Sequence, residues 1–437
     1  MSNEFDLGIV GMGPSGIGVA MSLKETSLLK KTICFERGLD VEKRICNIIA
    51  KGKCSRSNSC NIVFGIGGAS NNSSGKLSLF PAGSGLLHFF TSEKELTSLM
   101  YDVISNLKKE MKLEKINILE DLKTSSLECY NKYNIQYKYY DVYEFEGNEF
   151  RAYISRIIGT LLSNGLQLKT ETEVIEIDYC SSKSVYKVTV KEKNNFSTYY
   201  FKKIVVATGS IDINEISNSK IIRNNKAMFE IGVRAEGSTN IFKDFFDTHG
   251  DLKLKYEDGR TFCVTKNGNV ISYSTNGLIF LEGSNSSRSK FSNLAVLIKC
   301  KDEKSINEFL DRYKVKNKAS PIKQKYTDYM HTKTSLGNLP TTLSIANNGD
   351  ISMLLPDEIN KSLQVFFQRV FEKDERIDIN NLVLIAPELK IVRSIVLSKH
   401  FEYMPNFFIV GSASGKFRGI LQSLCSGLLC GRNILGS

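Results

Sequence analysis

The stretch that most constrains this chain is its beginning, Glu4-Phe5-Asp6-Leu7-Gly8-Ile9-Val10-Gly11-Met12-Gly13-Pro14-Ser15-Gly16-Ile17-Gly18-Val19-Ala20-Met21. Phe5, Leu7, Ile9 and Val10 make a short apolar strand, while Ile17, Ala20 and Met21 recur at helical spacing. Between them, Gly11-x-Gly13-x-x-Gly16 is the strand-turn-helix form of a dinucleotide site, with Pro14 and Ser15 at the helix start. Gly11 permits the turn, Gly13 lets backbone approach a pyrophosphate, and Gly16 lets helix and strand pack closely. The helix start offers free N–H groups and a positive dipole end to phosphates.

A lone G-x-G-x-x-G is a weak signal, and the next strand strengthens it. Lys31-Thr32-Ile33-Cys34-Phe35 is apolar and ends at Glu36, twenty residues after Gly16, where a carboxylate accepts hydrogen bonds from adenosine ribose hydroxyls. Arg37 follows directly, and the residues leave open whether it stacks near the adenine or faces water.

Two remote segments extend the pattern. Ile204 to Ala207 is a buried-type strand running into Ala207-Thr208-Gly209, and Phe407 to Val410 runs into Gly411-Ser412. A Gly-rich turn, Gly415 to Gly419, then opens at Ile420 a helix marked by Leu421, Leu424 and Leu428. The strand at Val174 is expected to pass the adenine. In order and separation these segments resemble flavoproteins of the glutathione-reductase type. That resemblance implies an α/β fold with a Rossmann-type FAD-binding domain, and a closing helix whose N-terminus faces the flavin. No second G-x-G-x-x-G follows a strand, so an NAD(P)H domain is not expected.

Phe64 to Leu86 holds six Gly, five Ser and two Asn. Cys60, Gly65, Gly67, Gly68, Ala69, Gly75, Lys76 and Leu77 resemble the matching segment of a large family of uncharacterised FAD-dependent dehydrogenases. The resemblance continues in Phe229-Glu230-Ile231-Gly232-Val233-Arg234, in Gly259-Arg260-Thr261-Phe262-Cys263 and in Gly277 to Ile298. It implies a flavin-facing loop in which Gly68, Ala69 and Ser70 lie against the isoalloxazine and Ser70, Ser74 or Lys76 contact flavin or substrate. The departures are Gly411-Ser412 where the family tends to carry an acid, Ser73-Ser74-Gly75-Lys76, and Glu388-Leu389-Lys390. They mark a divergent member.

The expected layout is a first part of the FAD domain over 1–91, a helical insertion over 92–147, a second part over 148–212, a mixed-sheet substrate domain over 213–385 and the closing strand and helix over 386–437. Asn267-Gly268 and Asn276-Gly277 predict tight hairpins in the substrate domain.

At 437 residues, with 41% hydrophobic and 24% charged residues, the composition is that of a globular chain long enough for about two or three domains. No apolar run approaches the roughly 20 residues that cross a bilayer, and the start lacks a signal-peptide layout, so no membrane and a cytoplasmic setting are expected. The net charge of +11 is spread as dispersed Lys, which suits an anionic small-molecule substrate better than nucleic acid.

Lys76, Arg234 and Lys416 are the catalytic candidates, as cations able to hold an anionic group or an enolate-like product. His88, His249, His331 and His400 are isolated, and Cys46, Cys54 and Cys60 follow no metal spacing, so no metal is expected. The reading is an FAD-dependent dehydrogenase or reductase served by external NAD(P)H or another electron donor or acceptor. A flavin monooxygenase and a non-catalytic flavin-fold binding protein stay open.

Overall fold

The computed structural model describes residues 3–56, 59–117, 120–210, 227–242, 245–247, 249–285, 287–316, 320–393 and 395–436. The strand Glu4–Val10 lies inside a parallel array, between Thr32–Phe35 and Asn195–Val206. Gln167–Lys169 adds beyond Thr32–Phe35, and Phe407–Ile409 beyond Asn195–Val206. Counted by entry into the array the order is 3-2-1-4-5, that of a doubly wound nucleotide-binding sheet, with its crevice where the winding reverses between the first and fourth strands. Leu7, Ile9, Ile33, Ile204, Val205 and Val206 are all buried. Such unbroken apolar runs fit strands covered on both faces.

The fourth strand has two characters. Its first half closes an antiparallel meander with Thr172–Cys180 and Val185–Glu192, and it then continues beside Glu4–Val10.

The first helix, Pro14–Ser22, packs on the closing helix, Ile420–Gly436, through glycines. A Cβ on Gly18 would lie 2.5 Å from the Leu424 carbonyl oxygen, and one on Gly427 would overlap the Ser15 carbonyl. This backbone-to-backbone approach brings both helix starts to one place. Neither helix could be placed from its apolar spacing alone.

A second, mostly antiparallel sheet has the order 347–348, 322–325, 383–393, 227–238, 291–299, 259–265, 253–256, 136–138. Helices Glu303–Lys316 and Asp357–Phe366 share its core through Phe309, Tyr313, Leu363 and Phe366. Val383–Arg393, read from sequence as straddling a boundary at 385/386, lies whole inside this sheet between Ile322–Lys325 and Ala227–Ser238. Its apolar run does not reveal which sheet it joins. The expected boundary at 212/213 falls outside the described residues.

Of the two predicted hairpins, Asn276-Gly277 makes one, joining Asn269–Thr275 to Leu278–Ser284 with both turn residues at positive φ. Asn267-Gly268 does not. There the chain leaves one sheet for another, and the Asn267 side chain instead accepts a hydrogen bond from Thr239 Oγ1.

The stretch 92–147 supplies helices Glu93–Glu110 and Glu120–Lys132, and also strands. Glu114–Lys115 and Val142–Glu144 join Lys76–Ser78 in a small sheet, and Gln136–Lys138 forms the edge of the second sheet. The segment thus spans from the Gly-rich loop to the second sheet.

Candidate functional site

Gly11 makes the first turn at φ 96, with its N–H on the Phe35 carbonyl at 2.8 Å. Gly13 precedes the first helix without a side-chain cap, so the N–H groups of the first turn are left for a ligand. The Gly-rich loop packs directly on this turn. A Cβ on Gly68 would lie 3.2 Å from Gly13 Cα, a fit that only two bare backbones allow. The loop is therefore a wall. Its residues Gly68–Asn72 coil into a short helical turn in which Ser70 and Asn71 are buried, and Arg44 ties its approach. Arg44 donates to the carbonyls of Asn61, Ile62 and Ile66, and burial lowers its pKa to about 10. Sequence reasoning missed Arg44, which sits in no motif.

Glu36 is buried, with Oε2 accepting from Met12 N at 2.8 Å and Oε1 from Gly38 N and Gly65 N at 2.9 Å. A carboxylate has about four acceptor positions, so about one remains for a ligand hydroxyl. The same side chain thus clamps three turns and keeps a free lone pair. Arg37 is held over the Phe64 ring at 4.2 Å and beside Glu173 at 3.4 Å, which orients it along the cavity wall.

The cavity so bounded has a volume of about 910 Å³, at the upper end for ligand sites. At one end its wall includes Glu36, Arg37, Val174, Ala207, Thr208 and Gly209. Gly11, Gly13, Pro14 and Ser15 follow, then Gly68, Ala69 and Ser70. Ser412, Gly415, Gly419 and Ile420 complete it on the side of the closing helix. Thr208 Oγ1 is buried there with no hydrogen-bond partner among the described residues. Ser412 Oγ donates to the Phe417 carbonyl at 3.4 Å.

Two cofactor-site expectations fall behind the wall. Gly16 is buried where a Cβ would overlap the Gly11 carbonyl, so it shapes the turn without facing the cavity. Gly411 is buried at φ 63, its N–H on Ser426 Oγ at 3.0 Å.

Beyond the loop the cavity opens into a chamber whose wall, among the described residues, carries eight cations against two carboxylates, Asp251 and Glu282. Lys76 and Lys416 are among the cations. The Lys76 ammonium donates to the carbonyls of Gly250 and, at 2.7 Å, Val264, so it joins the Gly-rich loop to the second sheet. Arg260 makes a paired contact with Glu230 at 2.7 and 2.6 Å, and Arg418 reaches the same carboxylate at 3.4 Å. Burial raises the Glu230 pKa, but the two guanidiniums outweigh it and the net direction is down.

Arg234, expected to hold an anionic group, does not line the chamber and has no exposed surface. Its guanidinium grips Glu388 at 2.8 and 2.9 Å and also bonds Asn293 Oδ1 at 2.8 Å and the Cys263 carbonyl at 3.1 Å. It acts from behind the wall. Glu282 and Lys390, paired at 2.5 Å, sit in front of it with Cys263, whose φ is 46. Burial lowers the Lys390 pKa, but Glu282 and Glu388 outweigh it, so the ammonium stays charged.

Asp251 accepts from Tyr140 Oη at 2.8 Å and Ser78 Oγ at 3.1 Å and lies 3.1 Å from Lys253. Beneath it, His249 is fully buried, Nδ1 at 3.0 Å from the Asp251 amide and Nε2 at 3.1 Å from the Tyr140 amide. A protonated ring would accept from neither amide. Burial pushes its pKa from 6.5 down to about 4, against the pull of Asp251. As pH falls through that window the unfolded chain takes up a proton the folded one refuses, so stability falls, by on the order of 3 kcal/mol in all. Urea unfolding across this range should show the slope, and His249→Gln should remove most of it.

A second cavity of about 460 Å³ lies on the other side of Arg37 and Glu173, and Cys46, Cys54 and Cys60 share its wall. Among the described residues no group of three or more His, Cys, Asp or Glu side chains could hold a metal ion. Among them also, no helix is long and apolar enough to cross a membrane.

The strand order, the two glycine turns and the converging helix starts define a doubly wound α/β fold of the Rossmann type. Against solved structures, the FAD-bound, dithionite-reduced L-α-glycerophosphate oxidase from Mycoplasma pneumoniae is 12% identical with a TM-score of 0.46, covering 99% of this chain and 95% of that one. The amino acid oxidase NikD of nikkomycin biosynthesis is 9% identical with a TM-score of 0.44, over 99% and 95% of the chains. A flavoprotein/dehydrogenase from Cytophaga hutchinsonii is 9% identical with a TM-score of 0.40, over 99% and 79%. No protein-family model matches the chain, and no curated protein sequence matches it.

Proposed function

We propose that the chain is an FAD-dependent oxidoreductase acting on a small anionic molecule, with NAD(P)H or another external compound as electron donor or acceptor. The observation that carries this reading is one continuous cavity that passes from Glu36, across two helix starts and a bare-backbone loop, into a cationic chamber. An elongated dinucleotide fits the first part, and a separate reactant fits the second.

When bound, the flavin supplies hydride transfer at N5. The residues around it bind and orient. Glu36 offers its remaining lone pair to a ribose hydroxyl, and the N–H groups after Gly13 take the pyrophosphate. Thr208 Oγ1 has a hydrogen bond still to make in the same wall. The start of the Ile420–Gly436 helix favours negative charge at the flavin pyrimidine. Lys390 Nζ keeps its proton and stabilises negative charge developing on the reactant, while Lys416 adds a second cation on the closing-helix side.

The purified protein is expected to be yellow and to release FAD near stoichiometrically on denaturation. Glu36→Ala should lose the ribose acceptor and loosen three turns, weakening FAD binding by tenfold or more, since each lost charged hydrogen bond is worth about 1.5–3 kcal/mol. A colourless protein that takes up no FAD would overturn the reading.

A further inference from the structure

One side of the chamber is made by two antiparallel strands at the end of the second sheet, the edge strand Gln136–Lys138 and its neighbour Lys253–Tyr256. Lys138 stands directly opposite Lys253, and Gln136 opposite Lys255. Residues opposite each other share a face, and the diagonal neighbour is about 7–8 Å away, so Lys138, Lys253 and Lys255 project from one face as a triangle. All three line the cavity. Like charges directly opposite on neighbouring strands destabilise the pair unless an anion sits between them.

The protein supplies only part of that anion. Asp251 pairs with Lys253 at 3.1 Å. Among the described residues no carboxylate pairs with Lys138 or Lys255. Nearby, Arg260 and Arg418 share the single carboxylate of Glu230, which leaves a further positive charge at the chamber wall. Phe262 lies between these groups, with Lys253 Nζ 5.1 Å and Arg260 Cζ 4.7 Å from its ring centre, which keeps both cations from spreading into solvent. The charge left over on the triangle itself is two units, from Lys138 and Lys255.

We propose that the face formed by Lys138, Lys253 and Lys255 anchors a dianionic group, a phosphate monoester or a pair of carboxylates, on the molecule that reacts in the chamber. Calling that molecule the substrate rests on the oxidoreductase reading above; the dianion site itself does not. A single carboxylate would neutralise one of the two uncompensated ammoniums, whereas a dianion neutralises both. The attraction is screened as ionic strength rises, because this edge is exposed.

The test is isothermal titration of the purified protein with inorganic phosphate, succinate and acetate at matched ionic strength, with flavin content measured on the same sample. Phosphate or succinate should bind at least about tenfold more tightly than acetate. The stronger of the two identifies the source of the dianion, phosphate ester or dicarboxylate. Lys138→Ala with Lys255→Ala should abolish that preference, and Lys255→Glu, which keeps a long polar side chain at an exposed position, should do the same. Equal binding of acetate, or unchanged dianion binding in both variants, would overturn the proposal. Protein that lacks FAD but still selects dianions would overturn the oxidoreductase reading and leave this site standing.

Discussion

Replacing Arg234 by Met is expected to destabilise the protein by about 3–5 kcal/mol, because it leaves a buried carboxylate without its counter-charge. Glu388 has no exposed surface and receives two hydrogen bonds from Arg234. Burial pushes the Glu388 carboxyl up, so without the guanidinium it would take a proton or the strand would shift. Either response disturbs the chamber, since Arg234 also holds the Cys263 carbonyl and lies 3.5 Å from Glu282. Urea unfolding gives the magnitude. Arg234→Lys should recover only part of it, because an ammonium cannot repeat the planar two-point contact. If Arg234→Met unfolded like the wild type, the ion pair would be contributing no more than its own desolvation cost.

The second large effect is expected at the glycine contact of the two helices. Gly427→Ala puts a Cβ into the Ser15 carbonyl, an overlap with backbone that no rotamer relieves. The helices must part, and the two helix starts that frame the cavity part with them. A loss of at least about 1–3 kcal/mol, the usual range for overpacking, should therefore be accompanied by loss of bound flavin. Gly159 provides the contrast. It lies in the helix Gly147–Ser163, exposed, with nothing within 4 Å of an added Cβ, so Gly159→Ala should stabilise by about 0.5–1 kcal/mol and leave flavin content unchanged. Denaturant melts and the flavin-to-protein ratio, measured on both variants, separate packing from helix propensity.

These two results would bear on different links of the same argument. Arg234 tests whether charges behind the wall fix the chamber, and Gly427 tests whether helix contact fixes the cradle. Neither residue lines the cavity. Both act by holding in place groups that do.

Much of the cradle was legible in the sequence because it is built from local turns. A strand, a Gly-x-Gly-x-x-Gly turn and a helix start require particular residues within a few positions, and Glu36 lies one strand further on. The Asn276-Gly277 hairpin was legible for the same reason, as both residues adopt positive φ. What spacing could not give was partnership between distant segments. Arg234 read as an available cation because Glu388, 154 positions away, does not announce that it faces it. Asn267-Gly268 carries the same dipeptide signal as its neighbour, yet the strands on either side belong to different sheets. The chamber was the least visible of all. Its cationic face joins Gln136–Lys138, from a stretch that reads as helical, to Lys253–Tyr256 across more than a hundred residues. The Gly-x-Gly-x-x-Gly turn with its flanking strand and helix, and the bare-backbone character of the Gly-rich loop, can be read from residues a few positions apart, since glycine and short apolar runs encode that backbone geometry locally. Which charges are paired and which face the cavity is set by folding, because burial and electrostatic neighbours come from segments far apart in the chain, as for Arg234 with Glu388 and Lys138 with Lys253.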